Sequence, residues 1–289
     1  MKVLLTGSNG QVARAFLAAV PQSMQVTAVN HSDLDIGDAG AVDSLMESLR
    51  PDAVVNAAAY TAVDRAESEP DAARRANETG PANLARAAAR IGSRLVHLST
   101  DFVFDGASSS PYKPQDPTNP LGVYGASKLA GEIAVREALP ARSVILRTAW
   151  VYDAQGRNFL RTMLRLMRER DTVSVVADQV GTPTAAFSIA QAICAVLELP
   201  SVTGIHHWSD AGVASWYDFA VAIAEEWVSA GRATVVARVI PIGTADYPTP
   251  ARRPKFSVLD KSSTCAALGL MPRHWRQNLR QVIGEISNA

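Results

Sequence analysis

Tyr124 and Lys128 stand four residues apart in Tyr124-Gly125-Ala126-Ser127-Lys128, within a stretch of helical character that runs from Tyr124 to Ala138. Four residues along a helix bring two side chains onto one face. That spacing has a chemical use. A phenol with an ordinary pKa near ~10 is a poor proton carrier at neutral pH. An ammonium beside it stabilises the phenolate and makes proton transfer to a carbonyl oxygen feasible. Such pairs also arise by chance on exposed helices, so the setting decides their weight. This one uses one of only five lysines, against 23 arginines. Tyr124 also lies 24 residues beyond Thr100, which sits in Ser99-Thr100-Asp101 at the predicted end of a strand. A hydroxyl at a strand end is placed to bind the same carbonyl oxygen.

A second constellation opens the chain. Gly7-Ser8-Asn9-Gly10-Gln11-Val12-Ala13 follows the apolar run Lys2–Thr6 directly and leads into a helical segment. Glycines allow a tight turn and close backbone approach, and free N–H groups at a helix start favour a pyrophosphate. The pattern is GxxGxxA, with Ala13 where a third glycine packs helix on strand, a job that tolerates a methyl. An ordinary βα turn looks the same without its flanking strand and helix; with both present, dinucleotide binding is the expected reading. An acidic residue at the end of the second strand would bond the adenosine ribose and repel a 2′-phosphate. Asn30-His31-Ser32 stands there instead, with Arg14 in the opening helix, which tilts the choice to NADP(H) with NADH as the alternative. Arg14 as a solvated helix residue is the competing reading. Asp35 and Ile36 are placed to meet the adenine, unless Asp35 is only a turn or cap residue.

The elements that hold these groups alternate. Predicted strands Lys2–Thr6, Val26–Asn30, Ala53–Asn56, Arg94–Ser99 and Ser143–Thr148 are separated by helical stretches. Among these are Asp38–Arg50, with Asp38 as N-cap, and Asp64–Arg90, interrupted near Pro70 with Pro81 opening a turn. Near-continuous apolar strands between helices imply a parallel sheet covered on both faces. The fold class is therefore α/β, a doubly wound Rossmann-like sheet in residues 1–150, with a smaller substrate-binding lobe in 151–289 whose elements partly interleave with the first. Helices are expected over Asn158–Arg170, Thr184–Leu197 and Ser215–Ala230, and strands over Gly204–Trp208 and Val235–Ile240. Tyr247–Pro254 holds three prolines and must be an extended loop.

Composition excludes much else. The 289 residues are 47% hydrophobic with 28 basic and 28 acidic side chains, which argues against disorder and gives no support to nucleic-acid binding. Cys194 and Cys265 have neither CxxC nor Cys/His spacing, so neither a disulfide framework nor a zinc site is expected. No run approaches the ~18–20 apolar residues of a membrane span, and the start of the chain lacks a signal-peptide core. A cytoplasmic protein without membrane attachment is expected. His206 and His207 are adjacent, point apart in a strand, and receive no catalytic role.

These motifs taken together resemble the extended short-chain dehydrogenase/reductases. With them go Asn56-Ala57-Ala58-Ala59-Tyr60-Thr61-Ala62-Val63-Asp64, Ser99–Gly106, Arg147–Tyr152, Asn158-Phe159, Asp178–Thr184 and Arg253–Asp260. The whole set is similar, more narrowly, to the dTDP-4-dehydrorhamnose reductase family, and the likeness covers nearly the entire chain. The Tyr/Lys motif is generic to the superfamily, whereas the combination is specific. The resemblance implies NADPH-dependent reduction of a C4 ketone on a nucleotide-linked sugar. In it Tyr124 gives the proton, Lys128 lowers the tyrosine pKa and holds the nicotinamide ribose, and Thr100 bonds the reacting oxygen. Ala57, Ala58 and Ala59 would pass beneath the cofactor, and Val63, Asp101 and Trp150 would surround the sugar. Asn158 and Arg253 are candidates for the diphosphate. Left to their own signals, Trp150 could be a core aromatic and Arg253 a surface arginine.

Some family members dimerise around a Mg²⁺ held by glutamates, and the matching positions here are Ala15 and Phe187. Neither offers an oxygen ligand, so no structural metal and a monomer are expected. Three rivals stay open: the same reduction on another nucleotide-linked 4-keto sugar, a redox-neutral NAD-dependent epimerase, and a non-enzymatic regulatory subunit of the same fold. The presence of Thr100, Tyr124 and Lys128 together favours an enzyme.

Overall fold

The computed structural model describes residues 1–286. Its centre is a six-stranded sheet of β1 (Lys2–Thr6), β2 (Gln25–Val29), β3 (Ala53–Asn56), β4 (Arg94–Thr100), β5 (Ser143–Thr148) and β10 (Gly204–His207). The order is β10-β5-β4-β3-β1-β2 and every pairing is parallel. The doubly wound arrangement read from the alternation is what forms. The chain leaves β1 toward β2 on one side and returns to β3 on the other, so a crevice opens between the carboxyl ends of β1 and β3.

The period of two in each strand divides the apolar side chains between two cores. Val3, Leu5, Val55, Val96, Val144 and Leu146 face α1 (Gln11–Ala19) and α8 (Ala186–Glu198). Leu4, Val54, Leu95 and Ile145 face α2 (Ala39–Leu49), α5 (Gly80–Ile91) and α6 (Val123–Ala138). Since α1 alone is too narrow to cover the first face, α8 comes from far along the chain to complete it. Arg94 fixes that helix from the sheet side, its terminal nitrogens donating to the carbonyls of Val196 and Val202.

A third core gathers α7 (Phe159–Glu169), α9 (Trp216–Ser229) and α11 (Trp275–Glu285) around Tyr152, Leu160, Phe219 and Leu279. Beside it β7 (Thr172–Val176) pairs in parallel with β12 (Arg238–Ile242).

Differences from the expected boundaries have local causes. Asp38 caps α2, its carboxylate accepting from the Ala41 N–H. The stretch Asp64–Arg90 breaks into α3 (Val63–Ala66), α4 (Pro70–Arg74), a π-helical turn at Arg75–Thr79 and α5, with Pro70 and Pro81 in first turns. The helix expected from Thr184 begins at Ala186, because Thr184–Ala185 pairs with Val151–Tyr152. Ser215 and Asp218 form a reciprocal cap that starts α9 at Trp216. His207 is buried, its Nδ1 against the carbonyl oxygens of Tyr112 and Asp260; burial pushes it down to about 3 and leaves it a neutral packing residue.

Candidate active site

The crevice at the β1/β3 reversal is a cavity of about 790 Å³. Gly7, Asn9, Gly10, Gln11, Val12 and Arg14 line one part of it, Asn30, Asp35 and Ile36 another, and Ala57, Ala58 and Ala59 its floor. Tyr124 and Lys128 stand in the same lining. All the residues expected around a dinucleotide therefore share one cavity.

Its geometry suits a pyrophosphate. Gly10 is the N-cap of α1 and offers no side-chain cap, which leaves the first helical N–H groups free for an anion. Gly7 has φ +74° and runs so close to the β3 loop that a Cβ there would lie 2.5 Å from the Ala58 nitrogen. Gly7→Ala combines a positive φ with a backbone clash and is expected to raise the NADPH dissociation constant about tenfold or more. Fluorescence titration with a parallel melting curve checks this. An unchanged constant would mean that the turn is not the phosphate seat.

The floor is braced from behind. Asn56 at the end of β3 accepts from Thr6 Oγ1 (2.7 Å) and from the Ala58 N–H (3.1 Å). Asn77, in the π turn, is fully buried and bonds both backbone groups of Tyr60: it accepts from the N–H (2.8 Å) and donates to the carbonyl (3.0 Å). The same amide donates to Ser127 Oγ (3.0 Å), and Ser127 donates to the Tyr124 carbonyl (2.8 Å). Asn77 thus joins the floor to the helix of Tyr124 and Lys128. A polar residue inside an Ala-rich helical run was its only signal in the sequence.

Lys128 is buried, and its Nζ donates to the Leu98 carbonyl (2.6 Å). Burial pushes the ammonium down to about 8, opposed by the carboxylate of Glu132 one turn on. Tyr124 is pushed up to about 12, by burial first; a hydrogen bond with the Thr100 hydroxyl acts the other way, and the Asp101 charge adds to the rise. The lowering of this phenol by Lys128 that the resemblance implied is not among those influences. Thr100 Oγ1 donates to Asp101 Oδ1 (3.0 Å). Burial raises the Asp101 carboxyl to about 6, against hydrogen bonding by the Ser257 and Thr100 hydroxyls.

Beneath this group lies a buried ion pair absent from the sequence reading. Arg147 and Glu132, each 2% exposed, meet through Nη2–Oε2 at 2.7 Å and Nε–Oε1 at 2.9 Å. Ser99 donates to the same carboxylate, and the guanidinium lies 5.1 Å over the Phe104 ring.

The remaining expected residues divide. Val63 opens α3, and Asp101 adjoins Thr100. Trp150 has φ +46° and stacks face to face on Trp216, centroids 3.5 Å apart, filling the space that Gly181 leaves by lacking a side chain. Trp216 opens an amphipathic helix and gave no sign of this in the sequence. Arg253 is half-buried and forms a two-pronged pair with Asp64.

Asn158 has a different occupation from the one expected. Its Oδ1 caps α7 at the Arg161 N–H (3.0 Å), while Nδ2 donates to Gln11 Oε1 (2.7 Å) and to the Asp153 carbonyl (2.8 Å). Its polar atoms are spent on a clasp between the first helix and the second lobe. Arg14 likewise donates to the Asn9 carbonyl (2.6 Å) and pairs with Asp153 at 3.4 Å. Alongside Asn30 and Asp35 the cavity carries His31 and Arg75 as well as Arg14, and Arg75 pairs with Asp35 at 2.7 Å.

Comparison with known proteins agrees with this geometry. Residues 1–288 match the family model described as the RmlD substrate binding domain. The chain is 44% identical over 286 residues to the dTDP-4-dehydrorhamnose reductase of Burkholderia thailandensis, covering 96% of each chain. The crystal structure of a dTDP-4-dehydrorhamnose reductase from Clostridium acetobutylicum superposes with a TM-score of 0.94 at 38% identity, covering 99% of both chains. That of the Bacillus anthracis reductase in complex with NADP does so with a TM-score of 0.92 at 34% identity, covering 98% of this chain and 99% of that one.

Proposed function

The chain belongs to the dTDP-4-dehydrorhamnose reductase family, and we propose that it reduces the C4 ketone of dTDP-4-dehydro-L-rhamnose to dTDP-L-rhamnose with NADPH. The observation that carries this reading is one cavity that joins a glycine turn suited to phosphate at one end to Tyr124 and Lys128 at the other.

NADPH, when bound, supplies the hydride that reaches C4. The protein must then deliver a proton to the oxygen. A phenol pushed up to about 12 stays protonated throughout the physiological range, the state that a donor needs. An alkoxide is a stronger base than any phenolate, so the transfer runs downhill even from this weak acid. The Thr100 hydroxyl, which donates to Asp101 in the free protein, turns to the ketone oxygen and holds it toward Tyr124. Lys128, as an ammonium, steadies the phenolate that the transfer leaves behind and binds the nicotinamide ribose. Asn30 brings no charge against a 2′-phosphate, and Arg75 is a cation beside it, with the His31 ring on the same lining. Val63, Asp101 and Trp150 enclose the sugar, and Arg253 takes the diphosphate. Asn158, with its amide already spent, is not assigned a ligand role.

Lys128 is charged below about pH 8 and neutral above it. kcat/KM, which reports ionisations of the free enzyme, is therefore expected to fall on the alkaline side with a midpoint near 8. A profile flat to pH 10, within the range of an unperturbed lysine, would remove the charged lysine from the mechanism.

The test of the function is NADPH oxidation with enzymatically prepared dTDP-4-dehydro-L-rhamnose and identification of the product. Stoichiometric loss of NADPH with dTDP-L-rhamnose formed is the expected result. Folded protein that binds NADPH and consumes none would move the assignment to another 4-keto sugar or to a regulatory subunit. A redox-neutral interconversion would mark an epimerase.

Ala15 and Phe187 offer no oxygen ligands for a divalent ion. The enzyme is proposed to act in the cytoplasm as a monomer without structural metal. EDTA is accordingly expected to leave both activity and mass in solution unchanged, and a chelator-sensitive dimer would overturn this. No helix among the described residues is long and apolar enough to cross a membrane.

A further inference from the structure

Arg253 lies on a strap that crosses from the second lobe to the first. Residues 247–254 include Pro248, Pro250 and Pro254, so the strap has few backbone N–H groups with which to fasten itself. Among the described residues its hydrogen bonds to the first lobe all go to one carboxylate. Asp64, in the first turn of α3, accepts from Arg253 Nη1 at 3.1 Å through Oδ1 and from Nη2 at 2.8 Å through Oδ2. The Ala251 N–H reaches the same Oδ1 at 3.2 Å. Thr249 Oγ1 and the Ala251 carbonyl take Nη1 as well, at 2.6 and 3.1 Å. The guanidinium holds the Asp64 carboxyl below its ordinary value, so the pair is ionic at neutral pH.

The way the guanidinium is used is informative. Asp64 occupies its end-on edge, the Nη1/Nη2 pair. The side-on edge, Nε with the outer hydrogen of Nη2, has no partner among the described residues. That edge is a parallel two-donor fork, the shape that matches two oxygens of a phosphate. The neighbouring Arg252 has no such fastening and is exposed, whereas Arg253 is half-buried.

We infer that Asp64 is a positioning residue for substrate: by gripping the end-on edge of Arg253 it aims the free Nε/Nη2 fork at the diphosphate of the nucleotide sugar. This deepens the proposed function and rests on its assignment of Arg253. The rival account is electrostatic, with Asp64 as a competitor that a diphosphate must displace. The two differ in sign. If Asp64 positions, its loss weakens nucleotide binding; if it competes, its loss tightens it.

The test measures steady-state kinetics, and calorimetric binding of dTDP, in Asp64→Asn, Thr249→Val, Arg253→Ala and the double variant Asp64→Asn/Arg253→Ala. Asp64→Asn is expected to raise KM for the nucleotide sugar and Kd for dTDP about tenfold, the equivalent of one charge-assisted hydrogen bond. kcat and KM for NADPH should change less than about twofold, as loss of uniform binding requires. Thr249→Val, which removes a lesser grip, should act in the same direction by about threefold. The double variant should be no worse than Arg253→Ala alone, because a positioning residue has nothing left to position. If Arg253→Ala itself leaves both constants unchanged, the diphosphate assignment falls and this inference with it. If Arg253→Ala raises them while Asp64→Asn and Thr249→Val do not, the assignment stands and the positioning role alone is wrong. Tighter dTDP binding in Asp64→Asn would also overturn it. Melting curves on each variant separate these outcomes from misfolding, and Thr249→Val keeps the test alive should Asp64→Asn fold poorly.

Discussion

Tyr124→Phe is expected to lower kcat by roughly 10²–10⁴-fold, the usual contribution of a positioned proton donor. NADPH binding and thermal stability should stay near those of the parent protein. The substitution removes one hydroxyl and keeps the ring that packs edge-on against Phe102, centroids 5.5 Å apart. Little in the packing changes, so the effect isolates the proton. It is large because no other group bonded to the reacting region can replace the phenol. Thr100 already donates to Asp101, and Lys128 to the Leu98 carbonyl. A neutral Asp101 is a competing acid nearby; its carboxyl, at about 6, is mostly ionised at pH 7, where Lys128 is still charged. Rates measured there are the cleanest check, with cofactor binding followed separately by fluorescence. Turnover within threefold of the parent would remove Tyr124 as donor.

The second large effect concerns stability. Glu132→Ala leaves Arg147 buried at 2% exposure without its carboxylate, and the Ser99 hydroxyl without its acceptor. Removing one partner of such a pair costs about 3–5 kcal/mol, most of it the penalty of an uncompensated buried charge. For a chain of this size the melting temperature should fall by roughly 10 °C. The double variant Glu132→Met/Arg147→Met is expected to recover much of that loss, since no charge then remains to be buried. A double variant less stable than the single one would show that the pair does more than neutralise itself. A functional consequence accompanies the loss. The Glu132 carboxylate raises the Lys128 pKa against burial, so without it the alkaline limb of kcat/KM should move to lower pH. Thermal melts and a pH profile on the same preparations check both.

Much of the crevice was legible because its signals are local. A strand, two glycines and a helix start within a dozen residues suffice to define the turn proposed to seat a phosphate, and the GxxGxxA pattern puts them in order. Tyr124 and Lys128 share a face for the same kind of reason, through the helical period alone. Apolar runs between helical stretches implied a parallel sheet, and Asp38 and Pro70 marked boundaries by cap and ring chemistry. Asn158 and Arg14 show where this stops. Both have the right chemistry for an anion, yet one amide is spent between Gln11 and Asp153, and one guanidinium is turned to Asp153.

What the sequence determined by itself, then, is the class of sheet, the glycine turn that opens the first helix and the common helical face of Tyr124 and Lys128, each written in the spacing of near neighbours. Tertiary structure alone decided that Asn77 braces the floor and that Trp216 backs Trp150. It likewise decided that Glu132 and Arg147 are buried together, and that Asp64 reaches across 189 positions to Arg253. The physical reason is shared. A turn or a helical face is selected by sterics and hydrogen bonds among adjacent residues. A partner distant in sequence is selected only when the packed cores bring the two segments together, and most strongly where the group is buried away from water, as Asn77, Glu132 and Arg147 are.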